Sequence, residues 1–363
     1  MKRLLILLLI PMLFCSCRES EQIDELAFVK TLGIDFSEGQ LEITCAYVVP
    51  SGEKETPRGE SVSVTCKTLS QGLNLVEAST DRKVFFGQIE NVIIGENAAR
   101  RGIAGEVDYL VRSDELRFDI PVIVVKGESA KKLIEDTSES ETHISQQITK
   151  LLKSNYSTSV ASEVQLAALV EMLEDPFKSP YLPYIERAEK GISINGYGVF
   201  NEDKLMEFFS QEESLGINFL NNDVENRIIV VNDQDKSITL KLTKSKTRIR
   251  LKDGIFRVNI KLMSEVVQAE GTINNLDDEL TQGLIARQNE EIKRVVEASL
   301  TRLKNMGCDV STFGDTFHNV SPKKAEEYMD KWNETFPYVK IEVSVTSSLD
   351  PSKISGKPVK QGE

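Results

Sequence analysis

Apolar residues enter this chain first as a block and only later as a pattern. From Leu4 to Phe14 the sequence "LLILLLIPMLF" is apolar throughout, behind Lys2 and Arg3, and it runs into "Cys15-Ser16-Cys17". The block is about half of the roughly 20 residues that a membrane-crossing helix needs, and Pro11 interrupts it. Beyond it the periodicity alternates. "LAFVKTLGIDF" and "LEITCAYVVP" read as two strands joined by a turn at Ser37 to Gly39, and "SVSVTCKT" as a third. The charged, Pro/Gly-punctuated "PSGEKETPRGE" between them reads as a mobile loop. "SQGLNLVEAST" then predicts a helix, "IENVIIG" a strand, "ENAARRGIAGEVDYLVRS" one helix, and "FDIPVIVVKG" a strand.

The polar, acidic "EDTSESETH" marks a domain boundary. After it, "ISQQITKLLKS" and "SVASEVQLAALVEMLED" have helical spacing, the second through Val164, Ala168, Leu169 and Met172, with Asp175-Pro176 as its stop. "YLPYIERA" and "GISINGYGVF" read as strands, and "DKLMEFFSQEESLGINFLNN" as a helix. Three consecutive strands follow, "ENRIIVVN", "KSITLKLTKSKTRIRL" and "IFRVNIKLMSEVVQAEG", with turns at Asp233 to Asp235 and Asp253-Gly254, hence an antiparallel meander. A long helix is predicted from the stripe Leu280, Leu284, Ile285, Ile292, Val295, Val296, Leu300 and Leu303; Asp277 or Asp278 caps its start and Gly307 ends it. "KIEVSVTSS" is a terminal strand returning to the sheet. The expected fold class is α+β, with mixed sheets, packed helices and a C-terminal antiparallel sheet backed by a long helix. The expected segments are a signal peptide 1–16, an N-terminal mixed α/β domain 17–136, a middle helix-and-strand domain 137–221, a C-terminal domain 222–349 and a flexible tail 350–363.

A positive leader, a short apolar centre and a small residue before a cysteine make a secretory signal. Cys17 is the expected first mature residue, because Ser16 before it is small whereas Phe14 before Cys15 is bulky. "Phe14-Cys15-Ser16-Cys17" resembles the bacterial lipobox, whose cysteine takes a diacylglyceryl group before cleavage. Charge makes such an anchor matter. The formal charge of the 363-residue chain is -13, and removing Lys2 and Arg3 with the leader lowers it to -15. A body this acidic is repelled by nucleic acid and by anionic lipid, so electrostatic adsorption of the whole does not hold it to a membrane. Two acyl chains do, at about 0.8 kcal/mol per buried CH2. The stretch "RESEQIDE" before the first strand reaches under about 30 Å, which keeps the domain close to the bilayer and favours a partner in the same membrane.

Candidate chemistry is sparse. His143 lies in the polar linker and His318 in a predicted loop, neither beside a second His or Cys at metal spacing, and no HExxH or P-loop pattern occurs. Cys45, Cys66 and Cys308 form no CxxC framework; Cys45 and Cys66 share parity with core positions and read as buried thiols, a cross-strand disulfide being the minor alternative. "Gly191-Ile-Ser193-Ile-Asn195" lacks the closing glycine of a nucleophile elbow. No cofactor, metal or catalytic residue is expected.

Several stretches together resemble the Ger(x)C family, the lipoprotein C subunits of nutrient germinant receptors in spore-forming Firmicutes. They are the lipobox cysteine followed by "Glu25-Leu26-Ala27-Phe28-Val29" and "Leu32-Gly33-Ile34-Asp35"; then "Gly196-Tyr197-Gly198-Val199-Phe200", "Asp203-Lys204-Leu205" and "Glu213-Ser214-Leu215-Gly216"; and last "Gly307-Cys308-Asp309", "Phe313-Gly314" and Trp332. Arg18-Glu19 stands where members typically carry Trp-Asp. The resemblance implies a three-domain α+β, non-enzymatic protein on the outer face of the spore inner membrane, anchored through Cys17 and working with membrane-bound A and B subunits. In physical terms Gly33, Gly196, Gly198 and Gly216 read as turns or close approaches, Asp203 as a cap and Trp332 as core. A solute-binding lipoprotein of a transporter is the rival reading, allowed by the early α/β alternation; a lipid-anchored envelope hydrolase is a third, with no visible site.

Overall fold

Strand alternation, helix caps and β-bulges account for most of the architecture in the computed structural model, which describes residues 26–49, 58–138, 143–189, 191–233, 236–269 and 278–350. The expected signal segment, Cys17, residues 50–57 and residues 351–363 lie outside the described residues. β1 (Leu26–Ser37) and β2 (Gln40–Val49) form a hairpin whose turn residues Glu38 and Gly39 both take positive φ, 52° and 81°; a two-residue turn of this hand matches strand twist. β3 (Arg58–Cys66) adds an antiparallel neighbour to β2. Cys45 lies opposite Val62 and Cys66 opposite Leu41, so the two thiols are out of register, and both are free and buried.

α1 (Leu69–Ala78) starts at Thr68, whose side chain accepts from Gln71 N. The short β4 (Lys83–Phe85), which the hydrophobic pattern does not announce, runs parallel to the start of β1. β5 (Asn91–Ile94), apolar after Asn91, and β6 (Val122–Val125), apolar throughout, are buried on both faces, as parallel strands in a covered sheet are. Val92, Ile94, Val122 and Val124 feed one apolar cluster and Ile93, Ile123 and Val125 the other. Between these strands the predicted single helix is two: α2 (Glu96–Arg101) and α3 (Ala104–Arg112), separated at Gly102 with φ 124°. Ile103 N donates to Asp203 O and Ala104 N to the Asp203 carboxylate, so a distant segment breaks the helix and caps its second half.

α4 (Ala130–Ser138) and α5 (Ile144–Thr158) follow, the latter capped by His143, whose Nδ1 accepts from Ser145 N. The next helix begins later than its spacing predicts. Residues 160–165 are not helical: Gln165 bridges Pro121 just ahead of β6, with Val122 N bonded to Val164 O and Leu166 N to Ile120 O; only α6 (Leu166–Glu174) is helical, and Ala168 is exposed. β7 (Tyr181–Arg187) pairs parallel with β6, and β8 (Ile192–Asn201) antiparallel with β7. The predicted helix from Asp203 is corrected at its start. Lys204–Phe209 is β9, a hairpin partner of β8, and the helix α7 (Gln211–Asn221) begins at a Ser210–Glu213 capping box. The resulting sheet has nine strands in the order β3-β2-β1-β5-β6-β7-β8-β9, with β4 on β1, so strands from both sides of residue 137 share it.

The last third is a second sheet, β10 (Ile228–Asp233), β11 (Lys236–Lys252), β12 (Ile255–Ala269) and β13 (Lys340–Leu349), backed by α8 (Asp278–Met306). The first three strands are antiparallel as expected, whereas β13 joins β12 in parallel, because α8 returns the chain to the end where β12 began. On α8, Leu284, Ile292, Val295, Val296, Leu300 and Leu303 are buried, and Leu280 and Ile285 half-buried. Gly307 ends the helix with φ 69°. His318, expected in a loop, sits on α9 (Phe313–Val320) against the Phe177 ring, centroids 5.8 Å apart.

α7 joins the two sheets, buried from Ser214 to Leu220. Gly216 lets α8 approach: a Cβ there would run into the Ser299 hydroxyl and come within 3.1 Å of Val295 O. Gly216→Ala is therefore expected to cost about 1–3 kcal/mol through overpacking. Urea denaturation checks this, and Ser299→Gly in the same chain should recover part of the loss, a coupling that independent sites would not show.

Candidate functional site

The signature segments fall where separate elements cross. Gly33 on β1 faces α4, where a Cβ would come within 2.7 Å of Ile134 Cδ1. Two residues on, the Asp35 carboxylate accepts from Ala130 N and Lys131 N, both at 2.8 Å, capping α4 from the sheet. Burial raises the Asp35 pKa, against the hold of those two N–H groups. Gly196, at φ 140°, lies against Phe209 O and the Ser214 hydroxyl. Its neighbour Tyr197 donates N–H to Ser214 Oγ (3.0 Å) and its hydroxyl to Asn218 Oδ1 (2.7 Å). Gly198 faces Leu205 Cδ1 at 2.9 Å from the Cβ it lacks. Glu213 accepts from Ser210 N at 2.8 Å and is ion-paired to Arg302, whose guanidinium lies over the Phe209 ring.

The closing signature forms one buried cluster. Asp309 accepts Ser311 N at 3.0 Å on one oxygen, and Gly314 N at 2.8 Å and Trp332 Nε1 at 3.0 Å on the other. Its backbone oxygen takes Ser179 N at 2.7 Å. Trp332 stacks on Phe317 and meets Phe177 edge-on. Burial pushes the Asp309 carboxyl up to about 6 despite the N–H donors that hold it down.

Beside this cluster opens a cleft of about 510 Å³, walled by Asp175 to Ser179, the β8–β9 turn Asn201 to Asp203, Gly307 and the segment Met329 to Asn333. Asn201 Nδ2 ties the turn to Met306 O at 3.0 Å, and Gly307 packs directly on the Asn333 backbone. Lys178, with Nζ 3.2 Å from Glu171, 3.3 Å from Asp175 and 3.6 Å from Asp315, is already neutralised. Its walls carry carboxylates, amides and apolar surface but no histidine or cysteine. Among the described residues no cluster of His, Cys, Asp and Glu could hold a metal ion. The thiols of Cys45 and Cys308 are lifted by burial to about 12 and that of Cys66 is raised, so they stay protonated near neutral pH. Cys17, the one functional residue that the sequence singles out, lies outside the described residues. Sequence flagged Asp309 and Trp332 through their motif; Asp175 and Lys178 carried no signal beyond the Asp-Pro helix stop.

Asparagine at 309 would offer one accepting oxygen where two are used, so Asp309→Asn is expected to cost about 1–3 kcal/mol for each N–H left unpaired. The gap should depend on pH. An ordinary carboxyl near 3.8 releases its proton in the unfolded chain while folded Asp309 holds it to about 6. Wild-type stability from this group is thus full below about 4 and falls as pH rises through about 6. The difference from the variant should narrow over that window in urea titrations followed by Trp332, the only tryptophan in the chain. A pH-independent difference would mean the carboxyl is ionised throughout.

Two family profiles together cover most of the chain: "Spore germination protein N-terminal domain" over residues 19–187 and "Spore germination B3/GerAC like, C-terminal" over residues 195–352. A Bacillus subtilis relative, YfkR, is 24% identical over 380 residues, spanning 94% of this chain and 97% of its own length. Spore germination protein KC of the same organism is 19% identical over 394 residues, spanning 98% and 96%. The crystal structure of the GerBC protein superposes with a TM-score of 0.55 at 15% identity, covering 88% of this chain and 96% of that one, which establishes a shared fold. The chain belongs to the Ger(x)C family of spore germination proteins.

Proposed function

We propose that this chain is a lipid-anchored, non-enzymatic C subunit of a nutrient germinant receptor, held on the outer face of the spore inner membrane by a diacylglyceryl group on Cys17 and assembling there with the A and B subunits. One observation carries the reading: the first of the two family matches begins at residue 19, directly behind the lipobox cysteine, and the second ends at residue 352. Two acyl chains on one sulfur suffice for a stable anchor. Among the described residues no helix is long and apolar enough to cross a membrane, so a Cys17 anchor supplies an attachment that those helices do not. The first described strand begins at Leu26, within about 30 Å of the anchored sulfur along the chain, which brings the folded body to the level of membrane-embedded partners. The buried, hydrogen-bonded placement of the signature residues supports a scaffold rather than a catalyst.

Cys17→Ala is expected to shift the protein from the membrane to the soluble fraction of spores and to abolish germination to one set of nutrients while sparing others. Mass spectrometry of the wild-type mature terminus should show the diacylglyceryl adduct. An unacylated terminus, or a Cys17→Ala protein that remains on the membrane and signals normally, would overturn the anchor; unchanged germination to every nutrient in a strain lacking the gene and its paralogues would overturn the receptor role.

A further inference from the structure

A bulge at Thr243 decides which side chains of β11 face out. Ahead of it Ile238, Leu240 and Leu242 point into the core. The ladder slips between Leu242 and Lys244, and behind the slip the alternation is reversed. Thr247 is buried and Ile249 and Leu251 half-buried, while Lys244, Lys246, Arg248, Arg250 and Lys252 are all exposed. At about 3.4 Å per residue this basic row is about 27 Å long. On β12 the outward positions beside the basic row are Arg257, Asn259, Lys261 and Met263, and on β13 Lys340, Glu342, Ser344, Thr346 and Ser348, so Glu342 is the one exposed acid beside the row; the next outward position on β12 is Glu265, buried opposite Lys241.

The row is assembled against its own repulsion. Lys246 sits directly opposite Lys261 and Arg250 opposite Arg257, and like charges in register destabilise a sheet. Arg257 has Glu342 at 3.5 Å. No ion pair engages Lys244, Lys246, Arg248, Arg250, Lys252 or Lys261 among the described residues. Lys246, Arg248, Arg250, Asn259 and Lys261 wall a groove of about 360 Å³. Farther along the same outer face β10 exposes Ile228 and Val230, each 56%, while Ile229 and Val231 turn inward, and the bulge residue Val267 on β12 is 47% exposed.

We propose that this outer face of the C-terminal sheet docks on the anionic headgroups of a bilayer, the basic row against phosphates and Ile228, Val230 and Val267 at the headgroup boundary. Charge alone would also suit an acidic polypeptide. The apolar trio beside the row favours a lipid surface, which offers phosphate and hydrocarbon side by side. Because the chain as a whole carries -13, an anionic bilayer repels the rest of the body and attracts this face, so the field sets which side approaches. That the face orients a receptor subunit rests on the membrane attachment proposed above; its affinity for vesicles does not.

The test uses the mature chain carrying Cys17→Ala, which has neither leader nor lipid, and sedimentation with vesicles of phosphatidylcholine alone or mixed with phosphatidylglycerol. Binding to the anionic vesicles is expected to be at least about tenfold tighter at low salt and to fall steeply above about 0.1 M. Lys246→Glu/Arg248→Glu/Arg250→Glu should drop to the phosphatidylcholine level and the Gln triple to an intermediate one, both with wild-type Trp332 emission. Lys67→Glu/Lys132→Glu/Lys153→Glu, the same charge change on other exposed lysines, should bind as wild type. Equal affinity for both vesicles, or an equal loss in the control triple, overturns the proposal. Binding to polyglutamate without binding to vesicles overturns it in favour of an acidic partner, and displacement from vesicles by millimolar inorganic phosphate overturns it in favour of a small-anion site. Since the assay contains no acylated protein, a negative result leaves Cys17 anchoring standing, and a failure of that anchoring leaves this result standing.

Discussion

The structure depends on burying one short helix on every side. α7 has no solvent face from Ser214 to Leu220, which a helix tolerates only if each polar group on it finds a partner. Ser214 accepts Tyr197 N, Asn218 accepts the Tyr197 hydroxyl and donates to Ser159 O, and Thr247 Oγ1 reaches Phe219 O. These bonds bind the nine-stranded sheet to the four-stranded one through a shared apolar cluster. The polar residues within α7 are therefore what make its burial possible.

The family signature acquires a physical meaning from this arrangement. Asp35 caps α4 from β1, Asp203 caps α3 from the β8–β9 turn, and Asp309 gathers Ser311, Gly314 and Trp332. In each case a carboxylate on one element satisfies orphan N–H groups of another. Gly33 and Gly216 clear the space that such crossings need. The cleft beside Trp332 lies at one of these joints, where α6, the β8–β9 turn and the segment after α8 meet.

Charge is distributed as unevenly as polarity. The excess acid of the chain is a bulk property, while the basic residues of β11 are concentrated on one face by a single bulge. Net charge describes what the molecule meets at a distance; the arrangement of charge governs what it touches.

By itself the sequence determined the mixed α and β class, the long helix with its Gly307 stop, and the strands wherever alternation was regular, because these depend on local periodicity and side-chain size. It also held the Ser210–Glu213 capping box, whose position inside "DKLMEFFSQEESLG" separates strand from helix. Only the tertiary structure decided that Lys204–Phe209 pairs with β8, that Asp203 splits α2 from α3, that residues 160–165 are held out of the helix by bonds to residues 120–122, and that β13 is parallel. The β8–β9 hairpin is a neighbour's pairing across a two-residue turn; in the other three a hydrogen bond from a residue far along the chain outweighed a local preference of a few tenths of a kcal/mol per residue. The basic face was illegible for the same reason: the row Lys244 to Lys252 is plain in the letters, but its direction depends on one extra residue at Thr243 that only the register with β12 reveals.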